Sequence, residues 1–137
     1  MKLILLAVVC LVIATLGWSW PYLKLEFASS AYYSQSNLRE YEYYTPKLLK
    51  QMPRISPEYS FQYISNHDSK RTLHGIHFAG TTDTGKIKSY LKSEGYQQQM
   101  KCDTAAECWG KEGSREVVSL YALTSPEHVV VQITSAD

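Results

Sequence analysis

Tyr59-Ser60-Phe61-Gln62-Tyr63 is the stretch that decides the fold, with large rings at every second position and Ser60 and Gln62 between them. Successive side chains of a strand point to opposite faces, so the alternation predicts a half-buried β-strand. The following Asn66-His67-Asp68-Ser69 cluster predicts a turn, because short polar side chains hydrogen-bond the local backbone. A second strand is expected over Thr72–Ala79, with Ile76 and Phe78 on one face.

Beyond this hairpin, Gly80–Thr84 reads as a loop leading into a helix over Lys86–Glu94. Thr82, Asp83 or Thr84 can cap it, Ile87, Tyr90 and Leu91 form an i, i+3, i+4 stripe, and Gly95 supplies the stop. Tyr96, Met100 and Cys102 then alternate with Gln97, Gln99 and Lys101, and Cys108-Trp109 opens a short return strand. Val117–Leu123 is apolar on both faces and is expected at the sheet centre. After the Ser125-Pro126-Glu127 turn, Val129, Val131 and Ile133 should face the core, opposite Val130, Gln132 and Thr134. Short turns join antiparallel neighbours. The expected fold is therefore α+β, a small antiparallel sheet with one helix packed on a face.

On the N-terminal side, Ala28–Tyr44 fits a helical period, with Tyr33, Leu38, Tyr41 and Tyr44 on one broad face and Tyr32 and Tyr43 off it. Thr45-Pro46 ends that helix and starts a shorter one, with Thr45 as N-cap, Leu48, Leu49 and Met52 as its apolar side and Pro53 as its stop. Ahead of both stands Leu3–Trp20, LILLAVVCLVIATLGWSW, without an ionisable carboxylate or amine and preceded by Lys2. Its eighteen residues span roughly 27 Å as a helix, about the thickness of a bilayer hydrocarbon core. Trp18, Trp20 and Tyr22 are rings that favour the membrane–water interface, and Pro21 is expected to end the helix.

These readings divide the chain into an anchor over 1–23, a tyrosine-rich helical juxtamembrane segment over 24–57 and an α+β domain over 58–137. Lys2 and the N-terminal amine are expected to stay cytoplasmic, making a single-pass inner-membrane protein with its C-terminal domain periplasmic. A cleaved signal peptide ending at Gly17, or a lipoprotein signal through Cys10, exports the same domain. The absence of an N-x-[ST] acceptor favours a bacterial over a eukaryotic secretory setting.

Composition bounds the partners. The part beyond residue 23 carries thirteen Lys and Arg, the chain's fourteen less Lys2, against thirteen Asp and Glu. A neutral domain has no general electrostatic attraction for nucleic acid or acidic lipid. Eleven tyrosines stand against three phenylalanines, and eight of the eleven lie between Tyr22 and Tyr63. Such rings pack while their hydroxyls stay wet, and interfaces are enriched in them. Tyr32 and Tyr43 are accordingly the candidate binding residues.

Cys102 and Cys108 bracket a hairpin loop in the exported part and are expected to form a disulfide, for which roughly 2–2.5 kcal/mol is the entropic magnitude. Five intervening residues do not make the CxxC arrangement of redox thiols. His74 and His77 point to opposite faces of a strand and cannot chelate one ion. No metal or cofactor is expected. Asp83-Thr84-Gly85-Lys86 lacks the glycine spacing of a phosphate loop, and Asp83-Thr84-Gly85 is expected to cap a helix rather than serve as a protease aspartate. Lys86, Lys88 and Lys92, with Lys70 and Arg71, read as solvated charge.

An apolar N-terminal helix, a second helix, an antiparallel sheet and a disulfide near the C-terminus follow the order of parts in type IV pilins. The architecture resembles theirs, which implies a structural envelope subunit. Their processing glycine and the glutamate shortly after it have no counterpart before Leu3–Trp20.

The expected function is a membrane-tethered periplasmic protein-interaction module without catalytic activity. An accessory subunit of an envelope complex fits, as does an immunity or inhibitor protein that blocks a toxin. The alternatives are a small exported hydrolase using His67, Asp68 or His77, and the pilin-like subunit.

Overall fold

The computed structural model describes residues 1–100, 102 and 106–136. An apolar helix, α1 (Lys2–Phe27), leads into seven strands and three short helices. The strands are β1 (Ser30–Tyr33), β2 (Tyr59–Asn66), β3 (Arg71–Ala79), β4 (Gln97–Gln99), β5 (Glu107–Gly110), β6 (Val117–Thr124) and β7 (Glu127–Ala136). The helices are α2 (Leu38–Tyr44), α3 (Lys47–Lys50) and α4 (Gly85–Ser93). The strands form one antiparallel sheet in the order β1-β2-β3-β7-β6-β5-β4.

The α+β expectation holds, with four differences of detail. Pro21 does not end α1, which continues to Phe27 with the proline inside it. Proline removes one hydrogen bond from the ladder. Beyond it, buried Leu25 packs into the domain core, and its carbonyl accepts a hydrogen bond from the Tyr44 hydroxyl.

The helix expected over Ala28–Tyr44 is instead an edge strand, a turn and a short helix. Asn37 makes the break, its Oδ1 accepting hydrogen bonds from the Ser34 N–H (2.9 Å) and Ser34 hydroxyl (3.1 Å). Aromatic residues suit strands where they can pack across a pair. Tyr33 does so, lying opposite Phe61 in register and stacked on it at 5.5 Å. Leu38, expected on the buried face, is 69% exposed.

The third difference is at the sheet centre. β7 occupies it, with three strands on each side. β6 is internal, but Val117 and Leu123 at its ends are 43% and 46% exposed. The boundary between α2 and α3 also moves by one residue, with Thr45 closing α2 and Pro46 as N-cap of α3.

All three short helices contribute to the core on one side of the sheet. The covered face carries Phe61, Ile76, Phe78, Trp109, Val118, Leu120, Val129, Val131 and Ile133, all buried. Tyr41 and Tyr44 of α2, Leu49 of α3, and Ile87 and Leu91 of α4 complete it. Burial of large apolar side chains stabilises by roughly 1.5–3 kcal/mol each. The α4 stripe read from sequence is buried, and Gly95 follows it with φ of 89°, the left-handed conformation that ends helices.

Polar bonds lock the short helices together. The Arg54 guanidinium donates to the carbonyls of Leu49 (2.8 Å), Lys50 (3.3 Å) and Met52 (3.2 Å), satisfying the end of α3. It also lies over the Tyr59 ring at 4.9 Å. Tyr90 of α4 donates to the Leu48 carbonyl at 2.7 Å.

Candidate functional site

Three helices pack on one face, and among the described residues no helix packs on the other. Period-two alternation sends Tyr32, Gln62, His77, Tyr121, Val130 and Gln132 to it. Three of them are joined. The Gln62 amide nitrogen donates to the Tyr32 hydroxyl at 3.1 Å, and Gln62 Oε1 lies 3.1 Å from His77 Nε2. Since the amide nitrogen is committed to Tyr32, Oε1 accepts, and the His77 Nε2 carries the hydrogen. Gly75 stands opposite Gln62 in β3 and adds no side chain, so the link to His77 passes over open backbone.

His128 is the diagonal neighbour of His77, because His77 pairs with Val130 and Ala79 pairs with His128. The His128 Nδ1 lies 2.7 Å from the Pro126 carbonyl and donates to it. Burial, then the nearby His128, hold His77 below the usual imidazole pKa. Glu58, Ser60, His77, Ala79, Pro126 and His128 line an open groove of about 640 Å³ at this end of the sheet. Val130 is buried although it belongs to the open face, standing between His77 and Tyr121 in register.

The candidate residues from sequence do not converge. Tyr32 is 76% exposed and belongs to the open face, through strand alternation rather than a helical stripe. Tyr43 is 47% exposed on α2, behind the sheet, with its ring edge-on to Tyr44 at 5.0 Å. His67 and Asp68 sit exposed in the β2–β3 turn, six strand residues beyond which lies His77. At about 3.3 Å per residue that is roughly 20 Å, too far for shared acid–base work. Ser60 faces His77 in register, yet the hydrogen-bonded Nε2 of that imidazole is engaged by Gln62.

His74 and His77 do point to opposite faces. His74 lies on the helix side beside Tyr63, with ring centroids 5.3 Å apart, and burial lowers its pKa. Among the described residues no three His, Cys, Asp or Glu side chains gather as a metal-holding group. Asp83 Oδ1 accepts from the Gly85 N–H at 3.0 Å, shaping the start of α4. Lys88 pairs with Glu107 at 3.0 Å.

The sulfurs of Cys102 and Cys108 lie at disulfide distance, with their Cα atoms 5.9 Å apart. Residues 103–105 of the expected hairpin loop, and Lys101 of the expected strand before it, lie outside the described residues. Cys10 is exposed on α1.

The class so defined is an antiparallel α+β domain on a helix long and apolar enough to cross a membrane. No protein-family model, curated protein or solved structure matches the chain.

Sequence reasoning missed the Tyr32–Gln62–His77 line. Gln62 is the polar half of a strand alternation, and nothing in its local sequence distinguishes a networked amide from a solvated one. The signal present was Gly75, a glycine inside a strand pattern, which marks a place of close approach.

Proposed function

We propose that the chain is a non-catalytic protein-interaction module tethered by α1 to the inner membrane of a bacterium, with its domain in the periplasm. It acts as an accessory subunit of an envelope complex or as an immunity or inhibitor protein. The observation that carries this reading is the uncovered sheet face and its Tyr32–Gln62–His77 line. A phenol, an amide and a neutral imidazole supply donors and acceptors beside apolar ring area, the chemistry of protein interfaces. The engagement of the His77 Nε2 by Gln62 supports recognition over catalysis.

The test is crosslinking in membranes, with full-length tagged chain recovered from its native host. Gln62→Lys places a charge in the middle of the line at a half-buried position. Recovery of the crosslinked partner should fall about tenfold or more, the effect of losing roughly 1.4 kcal/mol. Circular dichroism should stay unchanged. Undiminished recovery with the fold intact would remove the open face from the interface.

A further inference from the structure

α1 does not hang from the domain by a free linker. Tyr44 of α2 reaches the Leu25 carbonyl, and the Arg39 guanidinium lies over the Tyr22 ring at 5.6 Å. The two contacts fix a direction. Tyr22 precedes Leu25 on α1 and Arg39 precedes Tyr44 on α2, so the first turn of α2 is the turn nearer the apolar run.

Tyr33, at the end of β1, pairs with Phe61, and Tyr59 near the start of β2 donates to Gln35 Oε1 at 2.6 Å. The 34–37 turn, the start of β2 and the β6–β7 turn therefore share one end of the sheet. The junction of α1 with β1 lies at the other end, which also carries the 66–70 turn: Ser30 pairs with Ile64, and the Ser65 N–H donates to the Ser29 carbonyl at 2.8 Å.

Depth follows from helix rise. If Leu3–Trp20 fills a hydrocarbon core, Tyr22 lies about 3 Å beyond its edge. The headgroup zone on each side is roughly 5–7 Å thick. The Arg39 guanidinium, beside Tyr22, then stands at headgroup level, and the preceding Leu38 is largely exposed. Lys24, 6.0 Å from the Trp20 ring, adds a second cation at the same level.

We infer that the first turn of α2 is a lipid-contact site, resting on the membrane reading above. Leu38 meets the acyl–headgroup boundary, and Arg39 binds phosphate of the bilayer that α1 crosses. A guanidinium suits that role because its planar fork matches phosphate oxygens, and its hydrocarbon stem tolerates the interface.

Full-length chain carrying Cys10→Ser and Leu38→Cys, spin-labelled and reconstituted in phosphatidylcholine–phosphatidylglycerol vesicles, tests this. A second sample carries the label at Gln98→Cys, exposed on β4, the sheet edge opposite the β1 that follows α1. Mass spectrometry confirms one label per chain. The label at 38 should be severalfold more accessible to oxygen than to a water-soluble nickel chelate, and the label at 98 the reverse. Adding Arg39→Glu should raise nickel access at 38 severalfold. Equal nickel access at 38 and 98 in protein that floats with the vesicles overturns the inference while sparing the anchor. Protein that does not float overturns the membrane reading and the inference with it. An unchanged signal in Arg39→Glu overturns the phosphate contact.

Discussion

Tyr44 donates its phenolic hydrogen bond to the backbone carbonyl of Leu25, joining the last turns of the apolar helix to the first helix of the domain. The same ring stacks on Tyr63 of β2 at 4.3 Å, so one side chain ties α1, α2 and the sheet together. Burial raises the Tyr44 pKa, which keeps the hydroxyl protonated and donating at neutral pH. The tyrosine-rich composition thus has a structural use: rings fill the core while hydroxyls satisfy backbone at its rim.

Tyr44→Phe should keep the stacking and lose only this bond. The expected cost is about 1 kcal/mol, rising if the Leu25 carbonyl stays dry. Limited proteolysis between α1 and β1 should be faster in the variant, while circular dichroism is preserved. Equal cleavage rates would show that the bond does not hold the helix to the domain.

Acidification should destabilise the domain through His74. Burial lowers its pKa in the folded protein, while the unfolded chain titrates near 6.5. Below that value the unfolded state binds a proton that the folded state resists, so stability falls as pH drops from about 6.5 to the folded pKa and is flat above. His77, lowered for the same first reason, acts in the same direction. The melting temperature should drop between pH 7.5 and pH 5, and His74→Gln should narrow that drop. An unchanged pH dependence in the variant would assign the effect elsewhere.

The alternation at Tyr59–Tyr63 and Val129–Ile133, the α4 stripe and the cysteine pair were legible because each local signal has one solution. Ala28–Tyr44 was not. Its tyrosines satisfy a helical period, while Ala31 and Tyr33 equally satisfy a strand, and only the 34–37 turn chemistry separates them. Edge pairing with β2 decides the matter, and that is a tertiary term. Pro21 misled for a related reason: the contacts that carry α1 past it come from Tyr44, nineteen residues after Leu25. The open-face line was invisible because Tyr32, Gln62 and His77 are brought together by register between three strands.

The Cys102–Cys108 pair should be a structural bond. Reductant should lower stability by about 2–3 kcal/mol without abolishing the sheet, mostly by freeing the unfolded chain. Thiol labelling of the native protein should find only Cys10. Ready reaction of Cys102 and Cys108 would refute the bond, and complete loss of partner binding in a well-folded Cys108→Ser variant would give the pair a functional part.

Face-resolved photocrosslinking tests the central claim, that the open face of the sheet binds a protein. A photoreactive residue is placed at Gln132, on the open face, or at Ser89, exposed on α4 behind the sheet. Irradiated in native membranes, the chain labelled at 132 should form one discrete protein adduct that Gln62→Lys suppresses. The chain labelled at 89 should form none. A discrete adduct from 89, with none from 132, would contradict the account.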